Sequence, residues 1–70
     1  METKTFSVPG IHCDHCKAAV TREVESVSGV ATVDVDLETK LVTVGGEGLG
    51  DAALVAAIDE AGYDAEPIRA

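Results

Sequence analysis

The sequence predicts an α+β fold with the element order βαββαβ, and three observations support this prediction. Apolar and polar residues alternate without a break over 31–38, which is typical of a half-buried strand. Two other stretches, 14–27 and 51–61, repeat their apolar residues at helical spacing. The chain has 70 residues, enough for one small domain, and we expect this domain to span 1–70.

The first half of the chain predicts a strand, a helix and a strand. Residues 3–8 alternate, with Phe6 and Val8 on one face, and Pro9-Gly10 ends the strand. From Asp14 to Val27 an amphipathic helix follows, and it closes near Gly29. Its apolar stripe consists of Cys16, Ala19, Val20, Val24 and Val27. The next strand places four apolar residues on its dry face: Ala31, Val33, Val35 and Leu37.

The middle of the chain predicts a hairpin and a loop. The polar connection 38–40 is short enough to turn the strand into residues 41–44 as an antiparallel partner. The glycine-rich stretch 45–50 is interpreted as a loop. It is a poor phosphate cradle, because no Lys-Ser/Thr pair follows it and the acidic Glu47 and Asp51 would oppose an anion.

The last part of the chain predicts a second helix and a short strand. The helix runs from Asp51 to Ala61, and Gly62 stands where a left-handed residue ends a helix. Residues 63–68 form the strand. Pro67 cannot donate a hydrogen bond to a neighbouring strand, so this strand is expected at a sheet edge.

This element order is that of the ferredoxin-like sandwich, in which two right-handed βαβ crossovers place both helices on one face of a four-stranded antiparallel sheet. The other face of the sheet is then open to water. The loop after the first strand lies at one end of the molecule. The two cysteines are expected on this loop and on the first turn of the first helix.

Composition excludes several classes of function. The formal net charge of −8 argues against nucleic acid binding, and the five basic residues, Lys4, Lys17, Arg22, Lys40 and Arg69, are scattered. No apolar stretch approaches the roughly 20 residues of a membrane span, so we expect no insertion into membranes. Residues Met1 to Lys4 do not begin a basic segment followed by an apolar run, which is the pattern of a secretory signal. These features predict a cytosolic protein, in which thiols stay reduced.

The segment His12 to Cys16 holds both cysteines and both histidines of the chain. Two thiols at this spacing can share a metal ion, form a disulfide or act as a redox pair. A disulfide closing a loop of about four residues stabilises little, so the thiols are interpreted as chemical groups. A helix N-terminus favours thiolates, Cys16 above all, and soft thiolates favour Cu(I) or Zn(II).

The run Gly10 to Cys16 resembles the metal-binding loop of the heavy-metal-associated domains, with the Gly-Met-x-Cys-x-x-Cys pattern of bacterial copper chaperones. The resemblance extends over residues 27–30, 33–37 and 57–63. It implies a Cu(I) chaperone, with no enzymatic step, that holds one ion between Cys13 and Cys16. It also implies delivery by thiolate exchange to a copper-transporting P-type ATPase or a copper-responsive repressor. A copper-bridged homodimer is a further expectation.

Two positions depart from the family pattern. Ile11 replaces the usual Met and is expected to keep its buried packing role. His12 stands where Ser or Thr is more common, and it can hydrogen-bond a thiolate, supply a third ligand or face solvent, with direct ligation the less favoured outcome. His15 resembles a variant common in bacterial members and is expected to face water. If both histidines turned inward, a Cys2His2 set would favour Zn(II).

Tyr63 matches the tyrosine that bacterial relatives carry after their second helix. Beside the metal loop it can shield the site or hydrogen-bond a cysteine sulfur, and its ring can equally cap the core. A dithiol redox enzyme is the competing class. It fits less well, because His12 stands where such enzymes usually have an aromatic residue, and neither Pro9 nor Pro67 fits the role of their cis-proline.

Overall fold

The computed structural model describes residues 2–68, and its order of elements confirms the predicted βαββαβ fold. Met1, Arg69 and Ala70 lie outside the described part, and so does this part of the expected domain range 1–70. The elements are β1 (Glu2–Ser7), α1 (Asp14–Glu25), β2 (Val30–Asp36), β3 (Leu41–Gly46), α2 (Asp51–Glu60) and β4 (Glu66–Ile68).

The four strands form one antiparallel sheet in the order β2-β3-β1-β4. β4 lies at an edge and pairs with β1, which confirms the position expected from Pro67. Both helices pack on one face of the sheet. The core between the layers contains fully buried side chains from the strands and the helices: Phe6, Val42, Val44, Val20, Val24, Leu54 and Ile58.

The predicted hairpin joins β2 and β3. The side chain of Asp36 accepts hydrogen bonds from the backbone N–H groups of Glu38 and Thr39, at 2.9 and 3.2 Å. Lys40 closes the turn in a left-handed conformation, with φ 62°. The carbonyl of Lys40 then accepts a bond of 2.8 Å from the N–H of Val8, which fixes the chain at the start of the cysteine loop.

Helix α1 ends earlier than predicted, at Glu25 instead of Val27. The hydroxyl of Ser26 donates to the carbonyl of Glu23 at 2.6 Å, and the N–H of Val27 reaches the carbonyl of Val24, one residue short of the helical partner. Serine commonly competes with the helix in this way. Gly29 is left-handed, with φ 92°, but it belongs to the following turn.

The glycine-rich loop is also shorter than predicted, because Gly45 and Gly46 belong to β3. Gly46 is required by packing, since a Cβ there would collide with the carbonyl oxygen of Gly29. The register of β2 against β3 shifts between Val30 and Thr32. This irregularity leaves Ala31 exposed, whereas the alternation predicted it on the dry face.

The last strand begins at Glu66, three residues later than predicted. The residues before it complete the end of α2. Gly62 is left-handed, as predicted, with φ 95°. The N–H of Tyr63 bonds the carbonyl of Ile58, and that of Gly62 bonds Asp59, a Schellman arrangement. This helix end directs Tyr63 back toward the cysteine loop.

Neither helix within residues 2–68 has the length and apolar character needed to cross a membrane.

Candidate metal centre

The start of α1 brings the two cysteines together. Cys13 is the N-cap residue, with an extended backbone and no side-chain cap hydrogen bond. Its carbonyl accepts the helical bond from the N–H of Lys17, at 3.1 Å. Cys16 lies one turn into the helix and is buried, whereas Cys13 is half-buried. The two Sγ atoms are 3.1 Å apart, and both cysteines are free thiols.

The surroundings of Cys16 favour its thiolate. Hydrogen bonds from the side chains of Tyr63 and Cys13 lower the pKa of Cys16 from 9.0 to about 7, against the opposing effect of burial. The backbone N–H groups of His12 and Cys13 contribute in the same direction. The shift has the direction predicted from the helix N-terminus, but its largest cause is a phenol hydroxyl from the other end of the chain.

Tyr63 lies beside the loop, as the sequence predicts. The interaction of its hydroxyl with Cys16 is the largest cause that raises the pKa of Tyr63, followed by burial and then by the negative charges of the Cys16 and Cys13 thiolates. The ring also packs against the buried core. A Cβ on Gly10 would stand 3.2 Å from Cδ1 of this ring. Gly10 therefore leaves the space that the tyrosine occupies.

The sequence places Gly10 at the end of a strand and at the start of the metal-loop motif, but neither pattern predicts its contact with Tyr63. The backbone of Gly10 has no positive φ, so the turn itself does not require glycine. The signal that identifies its role is the contact with Tyr63, which exists only in the folded chain.

Ile11 is completely buried beneath the loop. This confirms the packing role expected for the residue that stands in place of methionine. Its N–H donates to the carbonyl of Val8 at 3.1 Å, which closes a turn over Pro9-Gly10. The side chain and the turn together attach the cysteine loop to the core.

The two histidines lie apart from the sulfur pair. Both side chains are exposed. Nδ1 of His12 bonds the carbonyl of Gly10 at 2.8 Å, whereas His15 lies on the outer side of the first helical turn. Between residues 2 and 68, no group of three or more His, Cys, Asp or Glu residues is arranged to hold a metal ion. The Cys2His2 arrangement considered from the sequence is therefore not formed.

Charges around the pair are mixed. Lys17 and Asp14, which act in opposite directions on a thiolate, are both exposed to solvent. The site consists of two adjacent thiols at a helix N-terminus, with the Tyr63 side chain lowering the pKa of one of them. Such a pair offers soft, anionic sulfur ligands at the protein surface.

Comparison with known proteins gives one family across most of the chain. Residues 5–64 match the model of the heavy-metal-associated domain. The copper chaperone CopZ of Staphylococcus saprophyticus is 39% identical over 66 residues, which cover 91% of this chain and 97% of that protein. The periplasmic component of a mercuric transport protein from Pseudomonas fluorescens is 38% identical over 64 residues, covering 89% of this chain and 70% of that protein.

Solved structures share the fold. A CopZ metallochaperone superposes with a TM-score of 0.87 at 31% identity, covering 93% of this chain and all of that chain. The N-terminal domain of ZntA in its Zn(II) form gives 0.88 at 26% identity, covering 97% and 93%. A copper binding domain from HMA7, a P-type ATPase, gives 0.91 at 24% identity, covering 99% and 97%, and supports the fold alone.

The family match, the relatives above 30% identity and the sandwich with its paired cysteines agree with one another. The chain belongs to the heavy-metal-associated domain family.

Proposed function

We propose that this chain carries copper(I) as its cargo, in a single domain spanning 1–70, and holds one ion between Cys13 and Cys16. The observation that carries the proposal is the pair of free thiols, 3.1 Å apart at the start of α1. The lowered pKa of Cys16, about 7, means that a large fraction of this thiol is ionised at neutral pH. A thiolate is the form that binds a soft metal ion.

The number of ligands favours Cu(I) over Zn(II). The described residues provide two thiols and no third histidine, cysteine or carboxylate in the same group. Structural Zn(II) sites are almost always four-coordinate, whereas soft thiolate ligands select Cu(I). The CopZ relatives support copper. The ZntA neighbour in its Zn(II) form makes zinc the alternative cargo.

Transfer proceeds by ligand exchange. Cys13 is half-buried at the surface and its side chain caps no backbone group, so a thiolate of a second protein can approach the ion beside it. Exchange through shared thiolates does not release the ion to water. This chemistry is carriage, in which no substrate bond is broken, and we therefore place the chain among metal carriers and not among enzymes.

The proposed recipient is the metal-binding domain of a copper-transporting P-type ATPase, or a copper-responsive repressor. The fold shared with the copper binding domain of HMA7 supports a recipient of similar shape. The proposed compartment is the cytosol, where thiols stay reduced and available for binding. When two loaded molecules meet through the half-buried Cys13 side of the site, a copper-bridged homodimer forms.

An anaerobic titration tests the cargo. The reduced protein is titrated with Cu(I) against a competing chelator, and we expect about one ion per chain. C13S and C16S are expected to lose this binding, whereas T32S, an exposed substitution on β2, is expected to retain it. X-ray absorption of protein purified without oxygen gives the coordination number. Four-coordinate zinc in that protein would overturn the copper assignment.

A second assay separates carriage from redox chemistry, since two neighbouring thiols with one lowered pKa also suit a dithiol reductant. We expect no turnover of insulin disulfides by the reduced protein beyond the rate that free dithiol gives. Catalytic turnover together with weak Cu(I) binding would contradict the carrier proposal.

A further inference from the structure

A groove of about 720 Å³ lies between α2 and β4. Its α2 wall includes Asp51, Val55 and Asp59, which follow one another at four-residue spacing along one line of the helix. Val55 is half-buried and packs against the core, whereas Ala56 is exposed and its small side chain leaves the groove open. The groove is therefore an accessible surface with an apolar component.

The opposite wall comes from the chain that forms β4. Ala65 is half-buried against the core, and Pro67 is exposed. Because Pro67 has no N–H and β4 has only three residues, this edge offers little backbone hydrogen bonding to a further strand. An occupant of the groove is therefore held mainly by its side chains.

Four carboxylates line the same groove, those of Asp51, Asp59, Asp64 and Glu66. Oδ1 of Asp51 lies 3.5 Å from Nζ of Lys4. Within residues 2–68 the other three carboxylates form no ion pair, and all three residues are exposed. The groove thus combines apolar walls with three negative charges that have no positive partner in this part of the chain.

This combination restricts what the groove can bind. An occupant that covers the apolar walls also displaces water from the carboxylates, which costs free energy unless positive charges replace that water. A nucleic acid or an anionic membrane surface would be repelled. A neutral apolar segment would leave the carboxylates without a partner. The occupant that fits carries apolar side chains together with lysine or arginine side chains.

We propose that the groove between α2 and β4 docks a short segment of a partner protein in which basic and apolar side chains are interspersed. Asp51 and Asp59 are about 12 Å apart along the helix axis, a distance that an extended segment covers with about four residues. Neither Cys13 nor Cys16 lines the groove, so docking leaves the sulfur pair accessible. The inference goes beyond the proposed cargo and does not depend on it.

A peptide-binding assay on the metal-free, reduced protein tests the proposal. The probe is a fluorescein-labelled peptide of alternating leucine and lysine, about eight residues long and therefore longer than the groove. A control peptide has glutamate in place of each lysine. Fluorescence anisotropy at low ionic strength should show saturable binding of the lysine peptide alone. No saturable binding of this peptide, or equal binding of both peptides, would overturn the proposal.

A pair of charge variants separates the groove from the general attraction of an acidic protein for a basic peptide. D59N/D64N/E66Q removes the three unpaired carboxylates of the groove, and D34N/E38Q/E60Q removes three exposed carboxylates elsewhere. The first variant is expected to bind the lysine peptide about tenfold more weakly, the combined effect of three exposed ion pairs. The second should lose distinctly less. An equal loss in both variants would show attraction to the net charge alone and overturn the proposal.

A second pair of variants tests the apolar walls. A56W fills the groove, whereas A53W places the same side chain at an exposed position of α2 that does not line it. We expect A56W to lose peptide binding and A53W to keep it, with thermal unfolding confirming that both are folded. Wild-type binding by A56W would contradict docking in the groove. Self-association of the wild type that A56W abolishes would assign the groove to a second copy of the chain and overturn the proposal as well.

Discussion

The hydroxyl of Tyr63 acts on the thiol of Cys16, and this interaction is the largest cause of the lowered pKa of Cys16. The end of α2 makes the contact feasible, because its Schellman arrangement at Gly62 turns the chain toward the loop. The site thus depends on residues from both ends of the described chain.

Removing the hydroxyl of Tyr63 should reverse the lowering of the Cys16 pKa. In Y63F the ring remains, but the largest cause of the lowered pKa is removed, so we expect the pKa of Cys16 to rise from about 7 toward its ordinary value of 9.0. The thiolate fraction at neutral pH should fall accordingly. Ultraviolet absorbance of the thiolate, titrated with pH under argon, measures the change. An unaltered titration in a folded Y63F protein would show that the phenol does not act on this sulfur.

The same shift predicts how stability depends on pH. The pKa of Cys16 is about 7 in the folded chain and near 9.0 when unperturbed, so the folded state loses this proton first. The resulting stabilisation is fully present above the unfolded value and is lost as the pH falls through 7. Between these limits, the metal-free protein should become more stable relative to C16S as the pH rises.

Urea unfolding of both proteins under reducing conditions, from about pH 6 to pH 10, measures this difference. Comparison with C16S removes the contribution of the many carboxylates, which both proteins share. A difference in free energy of unfolding that stays constant across this range would contradict the lowered pKa.

The sequence predicts much of the site because its main signals are local. The spacing of Cys13 and Cys16 at a helix start predicts that their sulfurs lie close together once the helix has formed. The helical periodicity before Gly62 likewise predicts where α2 ends. The position of Tyr63 follows from this end and from the order of the elements.

The remaining features depend on contacts that the spacing of apolar residues in the sequence does not reveal. The hydroxyl of Ser26 competes for a helical carbonyl and shortens α1, although Val27 fits the apolar stripe. The register shift beside Thr32 exposes Ala31 without breaking the alternation of the sequence. The bond from His12 to Gly10 depends on one rotamer and one turn, so only the folded loop reveals it.

The approach of Tyr63 to Gly10 predicts that a single methyl group disturbs the site. In G10A, the new Cβ would stand 3.2 Å from the ring, a distance at which one of the two must move. We expect a loss of about 1–3 kcal/mol in the free energy of unfolding, as for other overpacked positions, together with a rise in the pKa of Cys16. Urea unfolding and thiolate titration measure the two effects.

A double-mutant cycle isolates this contact. In a Y63L background the ring is absent, and G10A should then cost distinctly less than in the wild type. Equal costs in both backgrounds would show that the substitution acts on the turn and not through the tyrosine.

Ile11 stands where the family usually has methionine, and its burial predicts that this position serves packing and not metal binding. Ile11 is fully buried, so I11A should cost about 2–5 kcal/mol of unfolding free energy, whereas I11M, which nearly conserves volume, should cost less than about 1.5 kcal/mol. If the role of this position is packing, I11M should bind Cu(I) with the wild-type affinity. Urea unfolding and chelator competition measure both quantities. A marked gain in Cu(I) affinity in I11M would instead show that the thioether reaches the ion, and that the wild type has lost a ligand at this position.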